Sequence, residues 1–217
     1  RIRVLLAILL TWMIYPLSDW PALDPLSAAG MREVFLQVFI GVLMGLLLQV
    51  VNAALVIGGQ AISASMGLSM ANMVDPNIGN VPVLAQFLII CSTLIFLGLG
   101  GHVLVISLLL ESFQILPIGE MVEIQALASL TIQWSGMMFL GAILIGLPLM
   151  VSLLFINIGL GVITRAAPAL NIFAVGFPAM ILAGMVLLSL SMTSIGFRIQ
   201  WLWQQSFDVM GQALGLQ

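Results

Sequence analysis

The side chains that could do chemistry in this 217-residue chain are few and scattered. The chain has one histidine, His102, and one cysteine, Cys91, and its eight acidic residues form no run. Hydrolytic or metal-assisted chemistry needs a nucleophile beside a base, paired carboxylates or a cluster of ligands. A lone thiol and a lone imidazole do not make a four-ligand metal site. The sequence therefore predicts no enzyme, no catalytic residue, no metal and no cofactor.

The basic residues exclude phosphate-binding chemistry. The chain contains no lysine, and a P-loop needs a lysine to contact the phosphates. Its five arginines stand singly along the sequence, whereas nucleic-acid binding needs clustered Lys and Arg. We therefore expect no nucleotide or nucleic-acid partner.

One arginine nevertheless stands out. Arg165 is the only charged residue between Glu123 and Arg198. An arginine in such an apolar region must pair, reach the membrane interface or line water. A role in function or assembly and simple snorkelling are both open on this observation.

A polar, methionine-rich segment interrupts the apolar sequence at residues 63–82. Ser, Asn, Gly and Pro concentrate there, and Met66, Met70 and Met73 recur at helical spacing. Methionine packs adaptably around changing neighbours. The segment is predicted as a loop with a short helical start, which either fills a gap that must sometimes open or simply connects two helices.

The elements that position these features are predicted to be membrane helices. Hydrophobic residues make up 62% of the chain and charged residues only 6%, against about a quarter charged in a soluble domain. Each of four charge-free stretches exceeds the roughly 20 residues that span a bilayer, and they cover residues 34–74, 76–110, 124–164 and 166–197. The predicted fold class is an all-α, polytopic helical membrane protein in contact with lipid, with long broken helices and helical hairpins.

Caps, prolines and glycines divide these stretches. Ser27 is the predicted N-cap of a long helix that runs to about Ile62, and residues 83–116 are predicted as two helices in a hairpin. A kink is expected at Pro148. The expected interruption at 165–178 contains two prolines, and the end, 197–217, is predicted as an amphipathic segment for an interface or a partner helix.

Three motifs carry a family resemblance. They are MGLSMANMVDP at 66–76, GHVLVIS at 101–107 and RAAPALNIFAVGFP at 165–178. In this order and at these separations they resemble the FliR family, the R subunits of the flagellar type III secretion export gate. The resemblance covers nearly the whole chain. We expect the family to have an N-terminal segment of some tens of residues before the position of Arg1. Ala169 departs from it, since many relatives have Gln there.

The resemblance implies a hetero-oligomeric helical gate in the bacterial inner membrane, at the flagellar basal body. The R subunit would join P and Q subunits, with a B subunit nearby, and unfolded flagellar proteins would pass through. Residues 1–123 would form a P-like part that includes the loop 63–82. Residues 124–217 would form a Q-like helical hairpin followed by the amphipathic C-terminal helix.

Two sets of site residues follow from the resemblance. The family's pore plug maps onto Met66, Gly67, Leu68, Ser69, Met70, Ala71, Asn72, Met73, Val74, Asp75, Pro76 and Pro82. Residues assigned to assembly are Arg165, Pro168, Asn171, Phe173, Gly176, Phe177 and Pro178. The alternative is a self-sufficient small-solute transporter or channel, which the interruptions at 63–82 and 165–178 superficially fit. Against it, the interruptions do not repeat each other and carboxylates for coupling ions are few.

Overall fold

The computed structural model describes residues 2–17, 24, 26–68, 83–119, 124–166 and 172–215, with the backbone only at residues 3, 17 and 172–175. Within these ranges the chain forms seven α-helices and no strand. The helices are α1 (Ile2–Ile14), α2 (Ala28–Ser65), α3 (Val83–Gly98), α4 (Gly101–Ile115), α5 (Ile124–Ser135), α6 (Met137–Ala166) and α7 (Ile172–Ala213). A short 3-10 turn, Tyr15–Leu17, follows α1.

Helix α2 begins where the sequence predicts. Ser27 has an extended backbone (φ −74°, ψ 157°), and its hydroxyl oxygen accepts a 3.0 Å hydrogen bond from the backbone N–H of Gly30. This bond satisfies one of the N–H groups that a helix leaves without a partner at its start. The 38 residues of α2 span about 57 Å, nearly twice the roughly 30 Å of a bilayer's hydrocarbon core.

Helix α2 is the centre of the fold. Its C-terminal half packs into one core with α3, α6 and α7, where Leu55 and Ile62 are fully buried. Its N-terminal half packs with α4, α5 and the end of α7 into a second core around Leu47. Helices α2 and α3 cross closely, since a Cβ on Gly59 would lie 2.5 Å from Ala85 Cα. Glycine is therefore required at this crossing.

The predicted pair of helices at 83–116 is confirmed, but it is not a hairpin. Helices α3 and α4 are bent by 66° at their junction. Gly100 has a left-handed backbone (φ 70°) there, and the absence of a side chain on Gly101 leaves room for the Phe96 ring. These glycines redirect the chain without reversing it, so the pair forms a broken helix.

The second half of the chain also differs from its prediction. A turn at Gly136 separates α5 from α6, a break that the apolar pattern did not indicate. Helix α7 runs from Ile172 to Ala213 with Pro178 inside it. The helix therefore begins within the predicted interruption at 165–178. Membrane helices tolerate proline because neighbouring groups can satisfy the backbone groups that it frees.

The predicted amphipathic segment at 197–217 is the continuation of α7 and not a separate helix. Its apolar face is already covered within this chain, because Ile199, Leu202 and Met210 are almost completely buried. Phe197, by contrast, is 67% exposed. For the buried residues, the helices that cover this face belong to the same chain.

Three helical stretches are long and apolar enough to cross a membrane, namely Ala28–Ser65, Ile124–Ala166 and Gly176–Ala213. The bent pair of α3 and α4 would make a fourth. Much of the outer surface is apolar, as expected for a polytopic membrane protein. Helix α1 is the extreme case, with exposed Leu5, Leu9 and Trp12 among its side chains.

Candidate functional site

The structure describes the first three residues of the predicted plug, Met66 to Leu68, while Ser69 to Pro82 lie outside the described residues. Met66 directly follows α2 and is fully buried, with 0% of its surface exposed. Its side chain lies against α7, where a Cβ on Gly184 would come within 2.4 Å of Met66 Cε. Glycine at position 184 therefore makes the space that the methionine fills.

The next residue also contacts α7. Gly67 has a left-handed backbone (φ 80°), and a Cβ added to it would lie 3.2 Å from Cδ1 of Phe177. The end of α2 together with α6 and α7 encloses a half-open cavity of about 290 Å³. Residues 64–67, Asn157, Leu160, Gly176, Phe177 and Met180 line it. The cavity therefore lies at the base of the predicted plug.

The predicted assembly residues divide into three groups. Arg165 is exposed in the last turn of α6, and no hydrogen bond or ion pair joins it to another described residue. Pro168 and Asn171 lie outside the described residues, as does the side chain of Phe173. Gly176 and Phe177 line the cavity, whereas Pro178 is exposed beside them in α7.

Two segments that the sequence analysis treated separately are therefore neighbours. The described beginning of the plug motif and the Gly176–Phe177 part of the arginine motif line the same cavity. Nothing in the local pattern of either segment indicates this, because more than 100 residues separate them in the sequence.

Three hydrogen bonds between uncharged groups join helices in the buried interior. The carbonyl oxygen of Leu47 in α2 accepts from the indole N–H of Trp134 at 3.0 Å and from the hydroxyl of Ser206 at 3.2 Å. The indole N–H of Trp203 donates to Ser92 Oγ at 2.8 Å. Buried indole N–H groups usually need such partners. These bonds fix α5 and α7 to α2, and α7 to α3.

A fourth bond between helices involves a charged side chain. The guanidinium of Arg198 in α7 donates to the backbone carbonyl oxygen of Leu144 in α6. Leu144 precedes Pro148 by four residues. No local pattern in the sequence predicts this contact, although the isolated arginine and the proline within an apolar stretch are both visible there.

Glu33 is a further polar group that sequence reasoning missed. It is only 4% exposed near the start of α2. Its Oε1 accepts a 3.1 Å hydrogen bond from Gln37 Nε2, whereas its buried Oε2 has no hydrogen-bond partner among the described residues. A buried oxygen without a partner destabilises the fold unless something else satisfies it.

A protein-family model described as "Bacterial export proteins, family 1" matches residues 1–206. The chain belongs to this family. It is 35% identical over 215 residues to the flagellar biosynthetic protein FliR of Pectobacterium carotovorum subsp. carotovorum, covering 99% of this chain and 82% of that protein. The FliR of Escherichia coli (strain K12) is 34% identical over 216 residues, with the same coverages of 99% and 82%. The FliR of Bacillus subtilis (strain 168) is 26% identical over 218 residues, covering 99% and 84%.

Family membership confirms the resemblance to FliR that the three motifs predicted. The chain is a subunit of the flagellar export apparatus, and its long apolar helices make it a membrane-embedded flagellar protein. The alternative of a self-sufficient small-solute transporter is not favoured. Among the described residues, no group of three His, Cys, Asp or Glu side chains could hold a metal ion.

Proposed function

We propose that the chain is a structural pore subunit of the flagellar type III protein-export gate. It sits in the bacterial inner membrane at the flagellar basal body, joins P and Q subunits, and lies near a B subunit. Unfolded flagellar proteins pass through the assembled gate, and the subunit performs no catalysis. Family membership supports this assignment, and the surface of the molecule supports the need for partners.

That surface extends beyond what one bilayer can cover. Helix α2 is about 57 Å long, and its exposed side includes Phe35, Val38 and Val42 in its N-terminal half. The exposed side of its C-terminal half carries the uncharged amides of Gln49 and Gln60. Large apolar areas that lipid does not cover indicate protein contacts, so other subunits are expected to cover part of this helix.

The buried anchor at Met66 is the single observation that most supports a plug at residues 66–82. A seal for a protein-conducting channel needs a fixed base, so that the rest of the segment can move without unfolding the subunit. Met66 provides such a base because it is completely buried against Gly184. Methionine contacts are adaptable and involve no charge pair, so a methionine-rich seal can open at modest cost.

Shortening the plug tests this proposal. We expect that deletion of residues 71–80, which leaves α2 and α3 intact, raises membrane conductance to ions without preventing complex assembly. Conductance is compared in cells with equal abundance of the intact and shortened complexes. Equal conductance would show that another subunit forms the whole seal.

A pair of methionine substitutions tests the anchor separately. Met66→Ala removes the buried side chain and is expected to raise conductance. Met185→Ala is the matched control, because Met185 follows Gly184 on α7 but is 49% exposed. The plug proposal fails if both variants have the conductance of the intact complex while the deletion also has no effect.

We also propose that Arg165 and the residues near the start of α7 serve assembly, and that the chain divides into a P-like part, 1–123, and a Q-like part, 124–217. Arg165 is exposed at the end of α6, so its guanidinium is available to a neighbouring subunit.

Expressed alone, the subunit is expected to aggregate or be degraded, whereas coexpression with P and Q subunits should give one complex. A long-lived, monodisperse monomer in mild detergent would contradict this and favour a transporter.

A further inference from the structure

A proline in the middle of α6 leaves one backbone carbonyl without its helical partner. In an α-helix the N–H of residue i donates to the carbonyl oxygen four residues earlier. Pro148 has no N–H, so the carbonyl oxygen of Leu144 receives no bond from that position. Both residues lie within the apolar stretch Ile124–Ala166. A bilayer core has no water to satisfy this oxygen, and each unsatisfied backbone group there is strongly unfavourable.

The structure places a donor at this oxygen. Arg198, on the neighbouring helix α7, donates from its guanidinium to the Leu144 carbonyl. The side chain is half-buried, and no carboxylate among the described residues forms an ion pair with it. Arginines inside membrane segments are costly and pair with one another, with acids or with backbone carbonyls. Among the described residues, the carbonyl oxygen of Leu144 is thus the hydrogen-bond acceptor for Arg198. Arg198 supplies the donor that Pro148 lacks.

We infer that Arg198 replaces the backbone hydrogen bond that Pro148 cannot make, and that it thereby fixes the proline-interrupted part of α6 to α7. The two residues are a matched pair: the proline creates the acceptor and the arginine satisfies it. Arg198 is a positioning residue, because it acts through α6. The part of α6 beyond Pro148 carries Asn157 and Leu160, which line the cavity at the base of Met66. This inference stands whether or not residues 66–82 form a plug.

The pairing predicts a specific rescue. Arg198→Ala leaves the Leu144 carbonyl unsatisfied, so it should lower the apparent unfolding temperature of the assembled complex in detergent by about 4–8 °C. Pro148→Ala restores a backbone N–H that can donate to Leu144. In the Pro148→Ala background, Arg198→Ala should therefore lower the unfolding temperature by less than half as much. Should Arg198→Ala alone not assemble, the double variant should recover assembly.

Two controls separate this rescue from general effects. Arg32→Ala removes an exposed arginine and should leave the unfolding temperature nearly unchanged, which controls for the loss of one positive charge. Gly159→Ala also improves the helix propensity of α6 beyond Pro148 but gives Leu144 no donor, so it should not rescue Arg198→Ala. An Arg198→Ala effect that is equally large with and without the Pro148→Ala substitution would overturn the inference. Rescue by Gly159→Ala, or an Arg198→Ala effect no larger than that of Arg32→Ala, would do so too.

Discussion

The crossing of α2 and α3 permits a quantitative prediction for Gly59→Ala. The added Cβ would lie 2.5 Å from Cα, 2.8 Å from N and 2.9 Å from Cβ of Ala85. Carbon atoms in favourable contact are about 3.5–4.0 Å apart. Two of the three opposing atoms are backbone, so no side-chain rotation can relieve the overlap. Helix α3 must therefore move away from α2 by about 1 Å.

This movement loosens the core on both sides of the crossing. A radial gap of 0.5–1 Å forfeits about a quarter to a half of each contact's attraction, and the fully buried Leu88 lies one turn from Ala85. Inserting a methyl group into a packed core costs about 1–3 kcal/mol, and the clash with backbone favours the upper value. Alanine is more favourable than glycine in a helix by about 1 kcal/mol, which offsets part of this destabilisation. The net destabilisation is about 2 kcal/mol, or about 4–8 °C in the unfolding temperature.

The assay is the apparent unfolding temperature of the purified complex in detergent, compared with that of Gly159→Ala. Gly159 also lies within a helix, but nothing lies within 4 Å of a Cβ added there. Only the propensity gain applies to this control, so its unfolding temperature should rise by about 2–4 °C. If Gly59→Ala raised the temperature as Gly159→Ala does, the close crossing of α2 and α3 would be refuted.

Further substitutions test other contacts. The ring centroids of Trp203 and Phe96 lie 4.7 Å apart. Trp203→Phe keeps a ring there but removes the donor to Ser92, so it should lower the unfolding temperature by about 2–6 °C. An additional Ser92→Ala should recover part of this loss, and full additivity of the two effects would contradict the bond. Glu33→Met removes Oε2, for which the described residues provide no hydrogen-bond partner, and should raise that temperature by about 2–4 °C, whereas a drop would reveal a donor to Oε2. Arg165→Lys should reduce complex yield and swimming motility, and Arg165→Ala should reduce them further, because lysine lacks the planar donor fork of arginine. Normal complex yield and normal motility in both Arg165 variants would leave snorkelling to the membrane interface as the only role of Arg165.

The sequence predicted those features that depend on local pattern. Charge-free runs indicated the membrane helices, and Ser27 marked the start of α2 because a hydroxyl in that position caps the first turn. The bend at Gly100 was visible as a break, but its angle depends on the packing of Phe96 over Gly101. Such packing joins residues through their three-dimensional arrangement, which hydropathy does not encode.

Contacts between distant parts of the chain were not predictable from one sequence. Pro178 suggested an interruption because proline removes a helix hydrogen bond, yet α7 continues through it. The partners of Trp203 and Arg198 lie 111 and 54 residues away, and no local spacing connects them. The plug motif and the arginine motif were each visible in the sequence, whereas the cavity that both line appeared only in the fold.

The two hydrogen bonds at Leu47 have a consequence for the order of events during synthesis. Trp134 follows Leu47 by 87 residues and Ser206 by 159 residues. At about 5–20 residues per second, Ser206 is made about 8–30 s after the carbonyl that it contacts. Until then the central helix lacks the part of α7 that later covers it. A newly made α2 therefore needs temporary cover from lipid, an insertion factor or a partner subunit, and the final helix completes the interior around a helix made long before.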